Sequence, residues 1–234
     1  MRAISVCAAT GQGVRDRQED AFVCVPGRGL FAVADGIGGH RDGHVASRLA
    51  VEAAARQVCG PMNGLFQAQS VLEAANRAVW DYGCTLDFDE RGSPGTTLTG
   101  VLLDPHRPQI LHCGDSRLYL LRPRPNALYG FFIAQLTTDH AAGGRLLSRL
   151  GKDPEDFDAS GFEVGPLSIH PGDYLLLATD GLSIYLSDPD DIKREVRCFL
   201  DKEGFSSVAQ SLVDVCERCG GRDNTTIIFI EVGE

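Results

Sequence analysis

The grouping of the chain's periodic segments limits its fold more than any other feature. Short apolar runs fill the start: Ile4 to Ala8, Ala21 to Val25 and Leu30 to Ala34 read as strands. Two Ala-rich helices follow. Val45, Ala46, Leu49, Ala50, Ala53 and Ala54 mark one face of the first, which Gly60-Pro61 ends. Leu65, Ala68, Val71, Leu72, Ala75, Val79 and Tyr82 recur at helical spacing in the second. Strand patterns return at Thr96 to Leu103, Gln109 to Cys113, Arg117 to Arg122 and Phe131 to Leu136. A weakly patterned stretch, His140 to Gly165, precedes a buried strand at Tyr174 to Thr179. Helices at about Pro189 to Leu200 and Ser206 to Cys219 lead to a last strand, Thr225 to Val232. Strands that alternated with helices would give a parallel sheet. Helices grouped in pairs instead imply antiparallel sheets covered by helices, an α+β fold.

The only linker-like stretch, Arg122 to Asn126, is too short to divide domains, so one domain spanning 1–234 is expected. With 22 basic and 32 acidic side chains the net charge is −10, which repels polyanions and sets nucleic acid aside as a partner. The longest aliphatic run, Leu175 to Ala178, cannot cross a bilayer, and the first residues lack the apolar core of a secretory signal. Cys7, Cys24, Cys59, Cys113 and Cys198 sit in apolar runs, as expected of reduced core thiols in a cytoplasmic protein. Cys216 and Cys219 have C-x-x-C spacing, but with Val208, Leu212 and Val215 they read as a helix face rather than zinc ligands.

The acids gather at strand ends. Asp35 follows Phe31 to Ala34, Asp180 follows Thr179, and Asp115 comes one glycine after Ile110 to Cys113. Glu19 and Asp20 precede the second strand, and Asp223 the last. If Val25 pairs with Leu30 across Pro26 to Gly29, Asp20 faces Asp35. Side chains so opposed lie about 5 Å apart, where like charges are unfavourable. The same logic brings Asp223 toward Asp180 if the last strand is antiparallel to Tyr174–Thr179. Unit charges about 4 Å apart repel by roughly 4 kcal/mol at an effective dielectric of 20. Oxygen donors of this kind select Mg²⁺ or Mn²⁺. The plainer alternative is that such acids are turn and capping residues, which is the reading preferred for Asp173 and Asp188. Asp35 and Asp180 stand apart because each begins an Asp-Gly pair beside a buried strand, and Gly36 lets its own carbonyl approach a ligand.

Seven segments occur in a telling order: Arg15–Ala21 (RDRQEDA), Ala34–His40 (ADGIGGH), Gly95–Thr97 (GTT), Gly114–Arg117 (GDSR), Leu136–His140 (LTTDH), Thr179–Leu182 (TDGL) and Gly221–Thr226 (GRDNTT). Together they resemble the metal-dependent serine/threonine protein phosphatases of type 2C, in their compact bacterial form. The resemblance implies an α-β-β-α sandwich, with two central antiparallel sheets flanked by helix pairs. It implies two metals, Mn²⁺ or Mg²⁺, bridged by Asp35, with the Gly36 carbonyl on one and Asp180 and Asp223 on the other. Asp115 would help hold a third, weaker metal, Glu19 and Asp20 would act through waters, and Arg15 would grip the substrate phosphate. It further implies a signalling enzyme that uses a metal-activated water on phosphorylated proteins, opposes a serine/threonine kinase and acts as a monomer.

Departures from the family pattern are informative. Gln18 replaces the usual Asn and keeps a polar side chain. Ile37 stands where many eukaryotic relatives have a proton-donating His; His40 reads as a packing or helix-entry residue instead. Ser116 lacks a nucleophile-elbow pattern and reads as a turn residue. The stretch after His140 is shorter than the usual flap. Ala141 to Gly144 is small and Arg145 to Leu150 offers a helical turn or two; this is either a loop-length change without functional consequence or an open site that discriminates weakly among peptides. The competing readings are a silent phosphoprotein-binding member and a metal-dependent hydrolase of another phosphate ester.

Overall fold

A computed structural model describes residues 4–37, 42–60, 68–87, 92–155 and 161–233. The chain begins with β1 (Ile4–Gly11), β2 (Asp20–Val25), β3 (Leu30–Asp35), α1 (Gly43–Cys59) and α2 (Ala68–Cys84). β4 (Leu98–Leu102), β5 (Gln109–Cys113), β6 (Arg117–Pro123), β7 (Phe131–Gln135), β8 (Ala141–Ala142) and β9 (Arg145–Leu146) follow. β10 (Glu163–Pro166), β11 (Tyr174–Ala178), α3 (Asp180–Tyr185), α4 (Pro189–Lys202), α5 (Val208–Arg218) and β12 (Thr225–Val232) complete it. Two compact units result. One contains Met1–Gln18, Arg117–Thr137 and Ser168–Glu234; the other contains Glu19–Ser116 and Thr138–Leu167.

The first unit holds an antiparallel sheet ordered β1-β12-β11-β6-β7. Tyr119, Leu121, Leu176, Ala178, Ile227 and Phe229 pack with Leu182, Ile192, Val196, Leu212 and Val213 of α3, α4 and α5. Alternate residues Leu118, Leu120, Leu175, Leu177, Ile228 and Ile230 are buried too. Both sheet faces are therefore covered, which is why these strands read as unbroken apolar runs. Each such aliphatic side chain contributes about 1.5–3 kcal/mol by leaving water. Asp188 caps α4 by accepting from Asp190 N, with Pro189 pre-set for the first turn.

The second unit holds an antiparallel sheet ordered β10-β5-β4-β3-β2. The alanine stripe of α1 (Ala46, Ala50, Ala54) and the Val71, Leu72, Ala75, Val79 face of α2 pack with Leu30, Ala32, Ala34, Leu98 and Leu111. The fold is thus α+β, with two antiparallel sheets and helices on each.

β5 and β12 have the bounds their patterns suggest. Leu65, Pro61 and His40 lie outside the described residues. No helical turn forms at Arg145 to Leu150: Arg145–Leu146 is the second strand of a small hairpin, β8–β9, closed by Gly143 and Gly144 at φ 57° and 75°, and Leu150 bridges to Thr96. β10 and α3 were not legible as elements. Of the C-x-x-C pair, Cys216 is buried on α5 as expected, while Cys219 is exposed just beyond the end of the helix. All eight thiols are free; Cys59, expected in the core, is exposed at the end of α1. Among the described residues, no helix is long and apolar enough to cross a membrane.

Candidate functional site

In the second unit the β2–β3 hairpin pairs Val25 with Leu30, and this register sets Asp20 opposite Asp35. Asp20 is buried, Glu19 and Asp35 half-buried. Two carboxylates so placed destabilise the sheet end unless a cation or proton sits with them. The backbone of Asp35 is held tightly. Its N–H donates to Thr97 Oγ1 (2.9 Å), while its carbonyl accepts from Thr97 N (2.9 Å) and Thr96 Oγ1 (2.8 Å). Thr97 Oγ1 also shares a 2.9 Å hydrogen bond with Ser116 Oγ. Ser116 is therefore no simple turn residue: it is fully buried in a hydroxyl cluster behind Asp35.

Gly36 donates to Glu19 O at 3.1 Å. A Cβ on Gly36 would sit 2.2 Å from Gly43 O and 2.8 Å from Glu19 O, so only glycine lets these backbones close around one another. Glu19 Oε1 is 3.1 Å from where a Cβ of Gly43 would be, which places that carboxylate beside the same turn.

Asp115 sits half-buried on the β5–β6 turn, after Gly114 at φ 120°. His140 clamps that turn: its N–H donates to Gly114 O (2.7 Å) and its Nδ1 accepts from Gly114 N (3.2 Å). His112 joins the clamp through Thr138 O (2.9 Å to Nε2) and Thr99 Oγ1 (2.7 Å to Nδ1). A carbonyl only accepts, so Nε2 carries the proton and Nδ1 receives the threonine hydroxyl. Burial, then the neighbouring His140, pushes His112 down to about 4, so the imidazole is neutral. Donor atoms of His112, His140 and Glu163 lie within 4.8 Å of one another. Both His112 nitrogens are already engaged, however, and Glu163 Oε2 accepts from Thr138 N (2.9 Å). We read the group as the clamp of the Asp115 turn, not as a metal centre.

In the first unit, Asp180 opens α3 directly after Thr179, whose Oγ1 accepts from Thr226 N (2.9 Å). β11 and β12 are antiparallel, as expected. A Cβ on Gly181 would fall 2.1 Å from Asn224 O, so the second Asp-Gly pair also packs backbone on backbone, next to Asp223. Asp223 Oδ1 accepts from Asn224 N (2.9 Å) and Oδ2 from Arg15 Nη2 (2.5 Å). Arg15 Nε donates to Arg222 O (3.1 Å). The Arg15 loop is stitched down by Val14 N to Gly221 O (2.7 Å) and Asn224 Nδ2 to Gln12 O (2.8 Å). Gln18 keeps an anchoring role, donating to Thr10 Oγ1 (2.8 Å) and Gly11 O (3.0 Å).

Asp173 and Asp188 stay out of this chemistry. Asp188 is the α4 cap, and Asp173 takes both arms of the Arg122 fork at 2.8 and 2.7 Å. Ile37 donates its N–H to Gly95 O (3.0 Å) and presents an apolar side chain with no proton to give. Thr96, Thr97 and Ser116 belong to the GTT and GDSR segments, but their role as supports of the Asp35 backbone and its hydroxyl cluster was not read from the sequence. Their signal was uncharged hydroxyls flanking the apolar strands β4, β5 and β6.

Carboxylates and a glycine carbonyl form an all-oxygen donor set, which suits hard divalent cations. The opposed Asp20 and Asp35 and the tight Gly36 turn fit such an ion. Residues 8–217 match the family model described as Protein phosphatase 2C. The serine/threonine protein phosphatase PstP of Mycobacterium tuberculosis is 31% identical over 236 residues, 94% of this chain but 43% of PstP. The chain thus spans less than half the length of that relative. The protein phosphatase PhpP of Streptococcus pneumoniae is 28% identical over 255 residues, covering 99% of this chain and 98% of PhpP. The solved catalytic domain of PstP in complex with 2 manganese ions superposes with a TM-score of 0.79, at 28% identity and 99% coverage of both chains. The PPM Ser-Thr phosphatase MsPP from Mycobacterium smegmatis, solved with cacodylate, gives 0.78 at 29% identity and 98% coverage of both. The class defined by this fold and these acids is a metal-dependent phosphatase fold. The chain belongs to the protein phosphatase 2C family.

Proposed function

We propose that residues 1–234 form a single catalytic domain that hydrolyses phosphoserine and phosphothreonine esters of proteins by direct attack of water on phosphorus. The observation that carries this is the β2–β3 register, which opposes Asp20 to Asp35 beside the tightly packed Gly36 turn. In this reading Asp35, the Gly36 carbonyl, Asp180 and Asp223 hold two divalent cations, Mn²⁺ or Mg²⁺. Asp115 helps hold a third, and Glu19 and Asp20 orient waters. Bound divalent cations make a water acidic enough to attack at neutral pH and offset charge as the phosphorus–oxygen bond breaks.

The chain's own residues do the rest. Arg15 presents a planar fork that matches phosphate oxygens. Its pairing with Asp223 keeps the fork placed until phosphate takes it over. Ser116 is buried and hydrogen-bonded, so it forms no phosphoenzyme. Ile37 supplies no acid, so the leaving alkoxide takes its proton from water. The substrate is a phosphorylated protein, and the enzyme opposes a serine/threonine kinase as a cytoplasmic monomer.

Phosphopeptides, nucleotides and an aryl phosphate assayed side by side with Mn²⁺ test this reading. Phosphopeptide turnover above nucleotide turnover is expected. Preference for nucleotides would make the chain a hydrolase of another ester. Binding of phosphopeptide without turnover would make it a silent family member.

A further inference from the structure

Arg149 follows the β8–β9 hairpin and is half-buried. Its Nη1 donates to Pro94 O (2.9 Å) and Leu150 O (3.3 Å), and its Nη2 to Ser93 Oγ (2.9 Å). The same Nη1 lies 2.5 Å from where a Cβ of Gly95 would be, and Ile37 Cδ1 lies 3.0 Å from that point. This guanidinium has exchanged water for two carbonyls and a hydroxyl, so it fastens a turn and is not poised for peptide, contrary to what its place in the short flap suggests.

The fastened turn, Ser93 to Gly95, leads straight to the Asp35 backbone. Gly95 O accepts from Ile37 N (3.0 Å), and Thr96 bridges Gly36 on one side and Leu150 on the other. Thr96 and Thr97 then hold both the N–H and the carbonyl of Asp35. The far side of the segment is pinned to α2, where Asn76 Oδ1 accepts from Gly151 N (2.9 Å) and Lys152 N (3.1 Å). Gly95 and Gly151 have no room for a side chain beside Arg149 and Pro94, so the packing there is backbone against guanidinium.

We infer that Arg149 is a positioning residue for Asp35 and Gly36, acting through the Ser93–Thr97 segment on their fitness to hold metal. The inference rests on the proposal that these two residues are metal ligands. Groups that orient ligands typically matter by tenfold or more in metal affinity.

The test is Mn²⁺ binding to metal-stripped protein by calorimetry, with melting in chelator as the fold control and phosphopeptide KM at saturating metal alongside. Arg149→Met, which keeps the aliphatic stem, should weaken Mn²⁺ binding by about tenfold and leave KM within about twofold. Arg149→Lys should recover much of the affinity, because an ammonium can still donate to Pro94 O. If Arg149→Met does not fold, Ser93→Ala, which removes one bond from the same fork, should weaken Mn²⁺ by a few-fold. A wild type that binds no Mn²⁺ would overturn the metal reading itself. A wild type that binds Mn²⁺, with unchanged affinity in the variants, would overturn this inference alone. A raised KM at unchanged Mn²⁺ affinity would do so too, by making Arg149 a substrate contact.

Discussion

Gly36→Ala should damage metal binding through sterics alone. The added methyl would lie 2.2 Å from Gly43 O, 2.4 Å from Gly43 C and 2.8 Å from Glu19 O. Ordinary carbon–oxygen contacts are near 3.4 Å, so the turn must open by roughly 1 Å. Every one of these atoms is backbone, and Gly43 begins α1, so no side chain can swing aside. Gly36 is not in the left-handed region, hence the penalty is overpacking rather than backbone strain. Overpacking of this kind costs about 1–3 kcal/mol. At 2 kcal/mol the Tm of a chain this size falls by roughly 4–8 °C. The same opening carries the Gly36 carbonyl and Asp35 away from an ion whose oxygen contacts tolerate a few tenths of an ångström. Mn²⁺ affinity, read by calorimetry and by the metal-induced rise in Tm, should therefore drop by more than tenfold. Gly165→Ala is the control, because a Cβ there meets nothing within 4 Å. Wild-type Mn²⁺ affinity in folded Gly36→Ala would show that the close packing of the Gly36 turn does not set metal binding.

Arg122→Ala leaves the Asp173 carboxylate, 2% exposed, without its fork, and should cost about 3 kcal/mol in urea unfolding at pH 7. Burial raises the Asp173 pKa, but Arg122 and the His170 N–H outweigh it and hold the carboxyl below its usual range. The pair's contribution is therefore present above the unfolded pKa and lost as pH falls through the lowered one, so the variant's deficit should shrink in acid. His112 is also pushed down, to about 4, so its contribution is lost as pH falls from about 6.5 toward 4. That amounts to about 2 kcal/mol between pH 7 and pH 5. An NMR titration showing an ordinary imidazole pKa would contradict this. Asp115→Asn should raise the Mn²⁺ concentration needed for activity without abolishing turnover; an inactive variant at saturating Mn²⁺ would count against its peripheral role. With Ile37 unable to protonate the leaving group, aryl phosphate hydrolysis should slow as leaving-group pKa rises. A flat profile with chemistry rate-limiting would reveal another acid.

The β2–β3 pairing was legible because a hairpin whose first pair is Val25 and Leu30 has no freedom of register, and each later pair follows in steps of one. The two Asp-Gly pairs were legible as special but not as to cause. The cause is tertiary: Gly43 O presses on Gly36, and Asn224 O on Gly181. α3 hid because an Asp-Gly pair after a buried strand has the composition of a turn. β10 hid behind Gly165 and Pro166, which an edge strand tolerates. The hydroxyl cluster behind Asp35 joins residues 62 apart in the chain, a proximity that no local pattern encodes. The Arg149 contacts with Ser93 and Pro94 join residues nearly as distant in sequence, so they were not legible either.

Phosphopeptide hydrolysis in protein stripped of metal and then resupplied, with Asp35→Asn and Asp180→Asn beside the wild type, decides whether the chain is a metal-dependent phosphatase. No turnover in chelator, recovery with Mn²⁺ or Mg²⁺, and loss of most turnover in either variant at any metal concentration are expected. Full activity after confirmed metal removal, or wild-type kinetics for Asp180→Asn, would contradict that assignment.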